Sequence, residues 1–267
     1  MKHRFLQWFG LLCLAFLAIG SLHAQKFTLA VNAEANAEGD SFAQAMEAAG
    51  FPLSSKEKLA TIQKLTLVSG KFLLTDWTTL AEKLPLCTTL KTFEVKPTVE
   101  MESFGESPAP KSYFAATSLE EVHIMSPKFD IPTQMFKGAT NLKSVTVESA
   151  QMIYTAAFEG CTALTTVHLP SATVLCSKVF KGCAQLATLR LPALEDFDPS
   201  CTGEAFCEGM TNLTSFYAPR LKALPKMPSK GAKSSPTSTS PLAKPLTKAR
   251  SRRMRTSSTS LFLNSPR

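Results

Sequence analysis

The chain has 267 residues, of which 44% are hydrophobic and 19% charged, and its mean hydropathy is close to zero. The length allows one large domain or two small ones, and the composition excludes wholesale disorder and a multi-span membrane protein. The formal charge of +8 says little about a folded domain. Residues 226–267 hold ten Lys and Arg and no Asp or Glu, and residues 1–24 add two more bases, which leaves 25–225 at −4.

The first 24 residues read as a targeting segment. Lys2 and Arg4 precede an uncharged, largely apolar run over 5–20, and Ala24–Gln25 is the expected cleavage point. This is the layout of a secretory signal peptide. A membrane anchor is the alternative, but the run is short against the roughly 20 residues a bilayer span requires. Cys13 would suit a lipid anchor only with a small residue directly before it, and Gly10-Leu11-Leu12 does not supply one. Seven cysteines become six once the leader is removed, a count that suggests disulfides in an exported chain.

Residues 25–55 form an expected N-terminal capping segment. Residues 26–31 read as a first strand. Asp40-Ser41 would cap a helix running to Ala49, with Gly50 as its stop. Such a segment would cover the open end of a repeat array. Thr75-Asp76 would cap a second helix through Lys83, ended by Pro85 and lying on the outer side.

From about 56 to 225 the chain repeats. Phe136-Lys-Gly-Ala-Thr-Asn-Leu142-Lys-Ser-Val145-Thr-Val147 recurs as Phe158-Glu-Gly-Cys-Thr-Ala-Leu164-Thr-Thr-Val167-His-Leu169. It recurs again as Phe180-Lys-Gly-Cys-Ala-Gln-Leu186-Ala-Thr-Leu189-Arg-Leu191, at an interval of 22 residues each time. Looser copies place the first strand Leu or Ile at 62, 90, 119 and 213; at the last of these Phe206 is displaced by one and Cys207 stands in its place. Apolar residues at alternate positions predict a short strand with one buried face. One strand cannot bury that face alone, so copies must stack into a parallel sheet. The Phe fills the core from the other side, and the Gly two residues later permits a tight turn or close backbone approach.

The Phe-x-Gly-Cys-Thr-x-Leu-x-x-Val-x-Leu pattern resembles the BspA-like leucine-rich repeat family of bacterial surface proteins, closely over 108–220 and loosely over 55–107. The resemblance implies a leucine-rich repeat solenoid of short parallel strands with an irregular or short helical convex side. It also implies export and adhesion or host contact, and it brings no catalytic residues. Ala115, where Gly is usual, and Cys207 depart from the pattern.

Cys87, Cys161 and Cys183 each lie three residues before an anchor Leu, where other copies have Ala116, Ala139 and Met210. A slot shared by Cys, Ala and Met is a core slot. A Cys161–Cys183 disulfide is the lesser alternative, and Cys201 and Cys207 could pair more freely. No GxSxG, HExxH, Walker or dinucleotide fingerprint occurs, so neither an enzyme nor a cofactor is expected. His123 and His168 do not converge with other metal ligands.

The outward strand positions form the expected ligand-binding surface. One column runs Glu94, His123, Thr146, His168, Arg190 and Tyr217; its neighbour runs Thr92, Glu121, Ser144, Thr166, Thr188 and Ser215. Glu94, Glu121, His123, Thr146, His168, Arg190 and Tyr217 are the candidate contacts, on a concave face suited to surface proteins or glycans. Ser and Thr there are also ordinary solvated strand formers. The tail 226–267, rich in Ser, Thr, Pro and basic residues, reads as disordered. It suits weak contact with anionic surfaces and no specific nucleic acid. The expected function is a secreted or cell-surface adhesion module. The alternative is a structural or truncated piece of a larger surface protein, with the tail replacing lost repeats.

Overall fold

The computed structural model describes residues 25–29, 41–102, 105, 112–115, 117–198 and 206–222. The expected signal peptide, the basic tail and Cys201 lie outside the described residues.

One long parallel sheet dominates. Its six strands run in the order β1 (Gln25–Leu29), β2 (Ile62–Leu67), β4 (Thr92–Val95), β6 (Glu121–Ile124), β7 (Ser144–Val147) and β9 (Thr166–His168). β11 (Thr188–Arg190) and β13 (Ser215–Tyr217) form a separate parallel pair. Every anchor expected from the sequence is buried, from Ile62 and Leu164 at 0% exposure to Leu213 at 7%. Alternation does the rest: in β6, Val122 and Ile124 are buried while Glu121 and His123 face out.

The opposite side is mostly irregular, with short helices near the N-terminus and very short strands. β3 (Gly70–Phe72) pairs with β5 (Val99–Met101), and three two-residue strands pair in parallel: β8 (Met152–Ile153), β10 (Val174–Leu175) and β12 (Asp196–Phe197). The later turns are therefore joined by backbone hydrogen bonds on this side as well as along much of the front sheet. The exposed N–H and C=O groups of a stacked turn need partners, and the equivalent groups one turn on supply them.

Between the sheets the repeat Phe residues stack. Phe136 and Phe158 lie 5.1 Å apart with rings 3° from parallel, and Phe158 and Phe180 lie 5.3 Å apart at 3°. Phe114 joins at 4.9 Å and 20°. The glycines two residues later have φ between +73° and +75°, a left-handed conformation that a side chain resists. A Cβ on Gly209 would meet the backbone of Gly182 at 3.3 Å, so here close approach and turn geometry both require glycine. Two residues before each stacked Phe, Gln134, Ala156 and Lys178 adopt the same left-handed region without being glycine. At the residue between Phe and Gly, Lys137 pairs with Glu159 at 2.8 Å and Lys181 with Glu208 at 3.2 Å.

Among the described residues, helices occur in the N-terminal part. α1 (Ser41–Ala48) ends as expected at Gly50, with φ +82°. Gly50 N–H donates to Glu47 O and Phe51 N–H to Met46 O, a Schellman closure. After the short α2 (Lys56–Leu59), α3 (Leu74–Lys83) starts two residues earlier than expected. Its N-cap is Leu73, and Asp76 sits inside the first turn. The buried Asp76 carboxylate accepts the N–H of Leu73 and the N–H of Phe42 in α1, both at 2.8 Å. One side chain thus satisfies backbone donors at the start of two helices. Trp77 of α3 carries the aromatic column back, edge-on to Phe72 and Phe114 and stacked on Phe129.

The front sheet weakens toward its C-terminal end. Beyond β7, Glu148 N–H donates to Ile124 O. The equivalent residues one and two turns on are Pro170 and Pro192, which have no N–H. β7 and β9 keep three register pairs where β6 and β7 have four. β9 and β11 lie side by side but form no ladder among the described residues. Val167, expected to point inward, is only partly buried beside this seam, whereas Val145 and Leu189 are fully buried.

Candidate binding face

The register places the expected candidates in true rows. Thr66, Glu94, His123, Thr146 and His168 are aligned across β2, β4, β6, β7 and β9. Arg190 and Tyr217 are aligned across β11 and β13. Glu121 lies in the neighbouring row with Lys64, Thr92, Ser144 and Thr166. The seam divides the seven candidates into a group of five, Glu94, Glu121, His123, Thr146 and His168, and the pair Arg190–Tyr217.

Within the first group, Glu94 is bound into ion pairs. Lys64 Nζ is 2.6 Å from Glu94 Oε2, and Lys96 Nζ holds Glu94 Oε1. Glu94 is 9% exposed. Burial alone would raise its pKa, but the hydrogen bonds and charges of Lys64 and Lys96 outweigh it and bring the carboxyl down to about 2. Glu120 is shared by Lys91 and Lys143, each at 2.5 Å, and those hydrogen bonds hold its pKa below the usual range. His123 approaches Glu121 and His168 approaches Glu148, both at 3.7 Å. A shallow depression of about 440 Å³ opens among these groups, and Lys64, Lys91, Glu94, Glu121 and His123 are among the residues that line it.

Lys64, Lys96 and the Lys91–Glu120–Lys143 ladder are absent from the sequence-based candidates. Lys64 is found by carrying the second column one copy further back, two residues after Ile62. The ladder is found by comparing the residue directly after each anchor, which reads Lys91, Glu120, Lys143.

The second group is built differently. The Arg190 guanidinium carbon lies 4.5 Å from the centre of the Tyr217 ring. Arg190 is exposed and Tyr217 half-buried.

The cysteines belong to the interior. Cys87, Cys161, Cys176, Cys183 and Cys207 are all buried, and Cys87, Cys161 and Cys183 carry free thiols. The Cys161 thiol donates to Phe136 O at 3.0 Å and the Cys183 thiol to Phe158 O at 3.1 Å, each reaching the turn before. Burial pushes the Cys183 thiol up to about 12, and Cys87 and Cys207 to about 11. Burial, with a smaller contribution from Cys183, also raises Cys161 well above the ordinary thiol value. Such thiols act as small apolar side chains. Among the described residues no three His, Cys, Asp or Glu come together as a metal site, and no helix is long and apolar enough to cross a membrane.

Stacked parallel turns, buried anchor leucines and a filled aromatic interior define a leucine-rich repeat solenoid. Residues 108–225 match the BspA type leucine-rich repeat region, in six copies. No curated protein matches the chain.

Proposed function

We propose that the chain is an exported, non-enzymatic surface protein that binds a protein or glycan ligand across the outward face of its front sheet. The observation that carries this reading is the alignment of polar side chains in two unbroken rows over β4, β6, β7 and β9, with an open depression at one end and Glu94 held between two lysines. Paired side chains lose little freedom when a ligand docks, which favours binding. Repeats of this family are often surface-associated, which supports the export and adhesion roles that the sequence resemblance implies. Glu94, Glu121, His123, Thr146, His168, Arg190 and Tyr217 are the contact candidates.

The test is a binding screen of the full chain against extracellular matrix proteins and glycans, followed by Glu121→Lys and Arg190→Glu. Both side chains are exposed, so circular dichroism should be unchanged while binding falls. A ligand whose affinity ignores both charge reversals lies elsewhere on the molecule. Absence of any ligand favours a purely structural role.

A further inference from the structure

Among the described side chains on the front-sheet strands and the residues flanking them, each lysine faces a carboxylate. Lys64 and Lys96 share Glu94, Lys91 and Lys143 share Glu120, His123 approaches Glu121 and His168 approaches Glu148. Arg190 has no such partner. It is exposed and lies over Tyr217, its register neighbour on β13. Stacking on a ring occupies the flat face of the guanidinium and leaves its edge N–H groups free. Those donors form a planar fork that matches a carboxylate in two parallel hydrogen bonds.

The surroundings narrow the ligand further. The adjacent row presents the hydroxyl side chains Thr166, Thr188 and Ser215, the last two in direct register. Leu74 of α3, away from this sheet, is the exposed large hydrophobic residue among those described. A protein partner is anchored by apolar and aromatic side chains buried at the centre of the interface. A hydroxyl-rich surface around one unpaired guanidinium fits a hydroxylated anionic polymer better.

We infer that Arg190, held by Tyr217, is the recognition point for the carboxylate of an acidic polysaccharide. This rests on the proposed binding role of the front face and narrows its ligand to one chemical class. The geometry assigns the carboxylate to the Arg190 edge and the sugar hydroxyls to Thr188 and Ser215.

The test is affinity electrophoresis of the full chain in gels containing polygalacturonate, carboxyl-reduced polygalacturonate, dextran, dextran sulfate or poly-glutamate. Retardation by polygalacturonate, lost on carboxyl reduction, is expected. Arg190→Lys keeps the charge but loses the fork and the stacking, and should weaken retention about tenfold, roughly one charged hydrogen bond. Tyr217→Phe keeps the ring and should leave retention within about twofold, since the ring face supplies the attraction. Tyr217→Leu should weaken it, with circular dichroism confirming the fold. Equal retention by dextran, or an Arg190→Lys variant that binds like the parent, overturns the inference. Tighter binding of dextran sulfate overturns the carboxylate assignment, and equal binding of poly-glutamate replaces the polysaccharide with an acidic peptide. A neutral glycan or matrix protein that binds through Glu121 while polygalacturonate does not would leave the binding-face reading standing and remove this one.

Discussion

The turns spaced by 22 residues and the turns on either side of them solve one packing problem with different chemistry. In the regular turns the interior slot holds Phe136, Phe158 and Phe180, stacked within 3° of parallel. Toward the N-terminus the column passes to Trp77, set edge-on and delivered by a helix. Toward the C-terminus Cys207 takes the slot and Phe206 lies beside it, tilted by about 50° to Phe197 and Phe216. Phe180 N–H still finds Phe206 O, and Gly182 N–H still finds Glu208 O. The backbone register therefore survives the loss of the stack. Glycine geometry and turn-to-turn hydrogen bonds fix where each turn sits, and the aromatic column fills what they enclose.

That division can be broken at its strongest point first. Phe158→Ala empties a slot with rings on both sides, and a loss of about 3–5 kcal/mol is expected from buried Phe truncation. Cys207→Ala removes one sulfur at the edge of the column and should cost only about 1–2 kcal/mol. Urea denaturation of both variants compares them. Equal losses would mean that the stacked ring contributes no more than a single buried sulfur.

Gly209→Ala probes the backbone half of the argument. It places a Cβ 3.3 Å from Gly182 as well as forcing a left-handed alanine, for an expected cost of about 2–3 kcal/mol. Gly50→Ala has the same kind of dihedral with nothing within 4 Å and should cost about 1 kcal/mol. If the two variants unfold at the same denaturant concentration, close approach is not what selects glycine in the array.

The pairing on the front face is tested by an acid titration. The folded-state pKa of Glu94 lies below its ordinary value of 4.5, at about 2. Its stabilisation is therefore complete above the ordinary carboxyl range and is lost as pH falls through about 2. Denaturation midpoints measured from pH 5 to pH 2 should fall, and Glu94→Gln should flatten the lower part of that curve. A steep fall that persists in the variant assigns acid sensitivity to other carboxyls.

The strand core is legible in the sequence because a period-two apolar pattern repeated at a fixed interval has one structural solution. Leu142, Leu164 and Leu186 could be placed inside before any coordinate was known, and the Cys161 and Cys183 slots followed from the Ala and Met of other copies. Asp76 was less transparent. It sits in a plausible capping position for α3, but its second partner, Phe42 N–H, is 34 residues away and depends on how the helices pack. The seam at Val167 depends on Pro192 in the next turn, a residue outside the strand it affects. The rows of the binding face follow from counting. The pairing within them does not, because Lys64 and Glu94 meet diagonally between strands rather than in register.

The alternation of Lys137, Glu159, Lys181 and Glu208 down the outer edge acts as a parity check on assembly. A chain that stacks one turn out of place sets lysine against lysine and glutamate against glutamate, and the error is repelled. A slip of two turns restores every attraction and passes unnoticed by charge. What separates that misassembly from the native one is chain length: 22 residues join Phe158 to Phe180, but 27 join Phe180 to Cys207. The irregular last step, which spoils the repeat to the eye, is what makes the array countable.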